Sequence, residues 1–163
     1  MTDAEVAAFL AEERIVTCAT MGPRGWPHLM PLWYVLRPVA EPTPDGDAGP
    51  RLWAWTYAAS QKVRNLERDP RATAQVEAGE SYEELRGVML ECEVLVRRDL
   101  EVVKALGHEI FARYAAPRGQ PPADNLPAAV GEMVDKQAAK RVALEFVELR
   151  RVSWDHRKLG GVY

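Results

Sequence analysis

A hydroxyl, an amide and two cations fall together where a helix should begin, in Thr56-Tyr57-Ala58-Ala59-Ser60-Gln61-Lys62-Val63-Arg64-Asn65-Leu66-Glu67-Arg68-Asp69-Pro70. The pattern predicts a short helix that opens after Ser60 and is closed by Pro70. Ser60 suits the N-cap, where its hydroxyl can accept a first-turn backbone N–H. The helix dipole favours carboxylates in that turn, yet this one carries Lys62 and Arg64 and no acid before Glu67. Free N–H groups, a hydroxyl and an ammonium make a cradle for a phosphate. The same residues also fit a plain N-cap followed by two solvated basic side chains, and the segment alone leaves both readings open.

The remaining reactive residue types carry less. Cys18 and Cys92 lie in apolar, strand-like runs without a CxxC spacing or basic flanks, so buried free thiols in a reducing compartment are expected. His28, His108 and His156 are scattered without ligand spacing, so no metal site is expected. Trp53, Trp55 and Tyr57 alternate on one face of a strand, a stripe for core or dimer packing or for contact with a ring. The segment Val152–Tyr163 is more aromatic and basic than a disordered tail, with Trp154 beside His156, Arg157 and Lys158.

These residues need elements to hold them. A chain of 163 residues, 47% hydrophobic, is long enough for one domain with a core, taken as 1–163. Its net charge of −3 argues against a nucleic-acid partner. The start lacks a signal-peptide pattern and no apolar run would span a bilayer, so a cytoplasmic chain away from membranes is expected. Thr2 and Glu5 have capping-box spacing ahead of the stripe Val6, Phe9, Leu10. Strands are predicted at 15–20, 28–36, 51–57, 71–78, 86–97 and 141–149, with loops at 37–50 and 115–127. Helices are predicted after Asp99 and near Val130–Lys140. Pro31 inside the second strand marks an edge, a bulge or a turn toward a ligand, and the alternation slips at Phe146-Val147. Six or so strands, mostly in meander order with short helices between, predict a mainly β (α+β), Greek-key-like antiparallel barrel.

The run Thr56-Tyr57-x-x-Ser60-x-Lys62-x-x-x-Leu66-x-x-Asp69-Pro70, after an aromatic strand and the Gly25-x-Pro27 turn, resembles the pyridoxamine 5'-phosphate oxidase-like superfamily. The resemblance implies an FMN-binding split barrel in which two subunits build the cofactor site. It implies that Ser60, Gln61 and Lys62 hold the cofactor phosphate and that Pro31, Leu32 and Trp33 lie along the edge of the ring. It also draws Trp55, Thr56, Arg64, Trp154 and Lys158 toward the cofactor. Three positions depart from the vitamin B6 oxidases, which carry Arg, Arg and Lys where this chain has Gln61, Met30 and Val35. An amide or a thioether replaces a bidentate guanidinium poorly, so B6 oxidase activity is not expected.

The resemblance then moves to the branch that uses FMN or the deazaflavin coenzyme F-420. Lys62, Arg64, Arg68 and Arg71 offer a basic rim for an acidic cofactor tail. The expectation is a homodimeric, flavin- or deazaflavin-dependent oxidoreductase that transfers a hydride to or from a small planar organic substrate. The alternative is a non-catalytic flavin, deazaflavin or haem-type binder on the same fold.

Overall fold

The capping box at the start of the chain closes in both directions: Thr2 N–H donates to Glu5 Oε2 at 2.6 Å and Glu5 N–H to Thr2 Oγ1 at 3.3 Å. It opens α1 (Asp3–Glu12), whose Val6, Phe9 and Leu10 are buried. In this computed structural model, which describes residues 1–39 and 49–160, α1 is followed by β1 (Ile15–Met21), β2 (Pro27–Arg37), β3 (Arg51–Tyr57), α2 (Gln61–Arg68), β4 (Arg71–Ala78) and β5 (Arg86–Arg97). Then come α3 (Leu100–Ala115), α4 (Ala128–Ala138) and β6 (Arg141–Asp155). Most of the predicted loop at 37–50 lies outside the described residues. No helix among those described is long and apolar enough to cross a membrane.

The six strands close into an antiparallel barrel in the order β1-β2-β3-β6-β5-β4. Strand β4 therefore lies beside β1 rather than β3, the Greek-key arrangement in which a fourth strand returns next to the first. The return is made by α2 across one end of the barrel. That end holds Met21, Tyr57, Arg71 and Arg141.

β2 changes partner along its length. Residues 27–33 pair with β1, and residues 34–37 pair with β3. The first stretch has one neighbour, so the barrel is split there. Pro31, opposite Thr17, sits in this stretch, where a residue without an N–H is tolerated.

Strand alternation divides the apolar residues between two cores. Val16, Tyr34, Leu52, Ala54, Val88, Leu144 and Phe146 fill the barrel. Val35, Trp55 and Ala143 face outward and are covered by Val103, Leu106, Ile110 of α3 and Val134, Ala138 of α4. Covering both faces makes 142–146 an unbroken buried run. That run is why the alternation looked interrupted at Phe146-Val147. The actual bulge comes later: Glu91 pairs with Arg150 and Cys92 with Glu148, leaving Leu149 unpaired.

Candidate functional site

Ser60 is the N-cap residue of α2, with extended backbone, but its hydroxyl makes no capping bond. Its Oγ is buried and has no hydrogen-bond partner. An unsatisfied buried hydroxyl costs about 1–3 kcal/mol, so this atom marks a place for a ligand. Two residues on, Lys62 turns under the helix and is only 6% exposed. Its Nζ donates to Thr56 Oγ1 at 2.9 Å, leaving two of its three donors. Among the described residues no carboxylate pairs with it. Burial, reinforced by the positive charge of Arg141, holds its pKa below the ordinary lysine value.

The neighbouring polar residues are tied off. Gln61 Nε2 donates to Asn65 Oδ1 at 2.8 Å, and Asn65 Nδ2 to Thr20 Oγ1 at 3.0 Å, so Gln61 props a buried network instead of reaching outward. Thr20 pairs across the sheet with His28, whose Nδ1 is also buried without a partner. The first intrahelical bond of α2 is Arg64 N–H to Ser60 O at 3.3 Å, so the N–H groups of Gln61, Lys62 and Val63 precede it. An oxyanion fits this donor set: the Ser60 hydroxyl, two ammonium N–H groups and first-turn amides.

The sequence reading missed Arg141. It opens β6 opposite Tyr57. Its guanidinium lies 4.4 Å from the ring centres of both Trp55 and Tyr57, and its Nη2 donates to Gln137 Oε1 at 2.8 Å. Its Nε is buried without a partner, and burial lowers its pKa. The only local signal was a basic residue at the head of the last strand. Its meaning depends on the β3–β6 register, which no local pattern carries.

Other expected site residues scatter. Arg64 is exposed. Arg68 donates to the Met21 carbonyl. Arg71 pairs with Asp69 at 2.7 Å, and its guanidinium holds the Asp69 carboxyl down to about 2. These three residues therefore do not form a continuous free basic rim.

The stripe on β3 is covered by the chain's own helices: Trp55 is 7% exposed, with Phe111 edge-on at 6.1 Å. Trp53 is half-buried and only Tyr57 is largely open, at 54%, so the stripe offers less free apolar surface than its sequence suggests. Large exposed apolar residues instead gather at the split, at Trp26, Leu29, Met30 and Trp33. Leu32 turns to the barrel core, while Trp33 stacks on Tyr114 with centroids 4.2 Å apart.

Trp154 packs over Gly87, where a Cβ would stand 2.2 Å from the indole. Lys158 Nζ pairs with Glu5 at 2.7 Å. Both lie at the far end of β5: Gly87 pairs with Trp154, and Glu93, six register positions on, pairs with Arg71 just past α2. At about 3.3 Å per residue that is roughly 20 Å, so one chain does not bring Trp154 and Lys158 to Lys62. Cys18 and Cys92 are buried free thiols pushed up to about 12 by burial. No group of metal-ligating side chains occurs among the described residues.

A closed Greek-key barrel, split at β2 and crossed at one end by α2, defines the split-barrel class. The chain belongs to the pyridoxamine 5'-phosphate oxidase family, which it matches over residues 2–152. It is 37% identical to a conserved hypothetical protein of Mycobacterium tuberculosis (TM-score 0.78, covering all of this chain, 100%, and 90% of that one). It shares the fold of an F-420 reductase at 20% identity (TM-score 0.60, 89% and 94% covered). It also shares the fold of the heme storage protein HutZ of Vibrio cholerae at 14% identity (TM-score 0.62, 94% and 93% covered). No curated protein matches the chain.

Proposed function

We propose that the protein is an oxidoreductase working with FMN or coenzyme F-420, which passes a hydride to or from a small planar organic substrate. The observation that carries this reading is the pair Ser60 and Lys62, two residues apart at the start of α2: a buried hydroxyl without a partner and a desolvated ammonium without a carboxylate. A cofactor phosphate supplies acceptors for both. The bound ring would supply the hydride chemistry.

The chain's own residues hold and shape. Thr56 fixes the Lys62 ammonium, and the Gln61–Asn65–Thr20 network fixes the helix that carries it. Pro31, Leu32 and Trp33 line the open stretch of β2, where Tyr114 holds the Trp33 ring. Met30 and Val35 bring no charge, which disfavours pyridoxamine phosphate as substrate.

The apolar split edge supports a homodimer with the site at the subunit boundary, since Trp154 can reach a cradle only across such a boundary. The test is anaerobic reconstitution with each cofactor, followed by spectra as a donor or acceptor is added. Turnover of the bound ring faster than the free ring supports an oxidoreductase. A ring that binds tightly and does not cycle would make the protein a carrier.

A further inference from the structure

Where α1 packs on the barrel, a partly enclosed cleft of about 220 Å³ remains between them. Val6 and Leu10 of α1 and Leu36, Leu52, Leu90 and Phe146 of the strands make its apolar wall. All but Leu36 are buried members of the barrel core. An apolar cavity of about 150 Å³ stays dry and is enough to take a benzene ring. The cleft therefore has room for one ring or a short acyl chain.

The charged residues of its wall are not equivalent. Arg151 donates through Nε and Nη2 to Glu148 at 2.7 and 2.8 Å, and the Asp3 side chain stands 99% exposed in water. Arg51 differs from both. Its side chain is 13% exposed, its Nη1 donates to Glu145, and its buried Nε has no partner among the described residues. Glu145 also accepts from Arg97 Nε at 2.9 Å and Nη2 at 2.7 Å. One buried carboxylate thus serves two guanidiniums, which leaves the triad with a net positive charge. A desolvated cation with a spare N–H favours a carboxylate over a neutral acceptor.

We infer that this cleft binds a small apolar monocarboxylate, with its ring or short chain among the leucines and Phe146 and its carboxylate on Arg51. Arg51 opens β3 and Tyr57 ends it, and Ser60 N–H donates to Tyr57 O at 3.0 Å. At about 3.3 Å per residue the two ends of β3 are roughly 20 Å apart. The site is therefore separate from the Ser60–Lys62 cradle, and the inference is independent of the cofactor reading.

Calorimetric titration of benzoate and benzamide into wild type, Arg51→Gln, Ala7→Phe and Lys62→Met tests this. Ala7 lines the cleft from an exposed position of α1, so a larger side chain there fills the cleft without entering the core. We expect wild type to bind benzoate with a Kd of roughly 1 mM or tighter, as a ligand of this size allows. Benzamide should bind at least about fivefold more weakly, since it lacks the charge-assisted bond. Arg51→Gln should erase that preference, Ala7→Phe should abolish binding of both ligands, and Lys62→Met should change neither. If Arg51→Gln does not fold, the wild-type preference and Ala7→Phe carry the test. Equal binding of benzoate and benzamide to wild type overturns the place of the carboxylate on Arg51. No benzoate binding at about 10 mM, roughly ten times the expected Kd, or binding that survives Ala7→Phe, overturns the site itself.

Discussion

Replacing Lys62 by Met should move stability and ligand affinity in opposite directions. Lys62 is 6% exposed, its ammonium is held by one hydroxyl at 2.9 Å, and Arg141 adds a repulsive positive charge. Without ligand, Lys62→Met loses that hydrogen bond, worth about 1 kcal/mol net. It also relieves a desolvated, uncompensated charge, and replacing buried charged groups by packed apolar ones commonly gains about 1–4 kcal/mol. The net gain is up to about 3 kcal/mol, which for a chain of this size raises Tm by up to about 12 °C. With ligand the balance reverses. A charge-assisted bond to phosphate is worth about 1.5–3 kcal/mol, so Kd for FMN or F-420 should rise roughly tenfold to 150-fold. Differential scanning calorimetry of the apo protein and equilibrium titration of each cofactor read the two effects. A variant that is less stable, with unchanged affinity for both cofactors, would show that Lys62 is only structural.

Three further outcomes follow from the same geometry. Cofactor affinity should be full below the lowered pKa of Lys62 and fall as pH rises through it, earlier than an ordinary lysine would allow, because the anion needs the protonated form. Apo stability should rise across the window between that pKa and the unfolded lysine value, where the unfolded chain binds more protons; titrations and melts from neutral to alkaline pH check both. Gly107→Ala should lower Tm despite a helix-propensity gain of about 1 kcal/mol, since a Cβ would stand 2.7 Å from both Trp55 and Val134 and overpacking costs about 1–3 kcal/mol. The Cys18 and Cys92 thiols, pushed up to about 12 and buried, should react with a thiol reagent only in denaturant.

Local signals carried the elements well. Thr2 with Glu5, and Asp99, whose Oδ1 accepts the N–H groups of Glu101 and Val102 at 3.0 Å, cap helices as their types demand. The alternation from Val88 to Val96 marks β5. What stayed hidden depends on which strand meets which. The β3 stripe looks like free apolar surface until α3 and α4 fold over it. Arg141 looks like an ordinary strand start until the register sets it against Tyr57.

At the site, residue types in the first turn of α2 announced a cradle, but not how it is made. Ser60 was expected to satisfy its own helix, yet its hydroxyl is left over. Gln61 was expected to face a phosphate, and it braces Asn65 instead. Trp154 and Lys158 carry the right chemistry, yet lie at the other end of the barrel, a separation set by the length of β5.

The central claim is that Ser60 and Lys62 recognise a cofactor phosphate. FMN and riboflavin differ only in that group, so their equilibrium titration into wild type and Lys62→Met tests the claim most directly. The account predicts that wild type binds FMN at least about tenfold more tightly than riboflavin, the equivalent of one charge-assisted hydrogen bond, and that most of this preference disappears in the variant. Equal affinity for FMN and riboflavin in wild type, or a preference that survives the loss of Lys62, would contradict it.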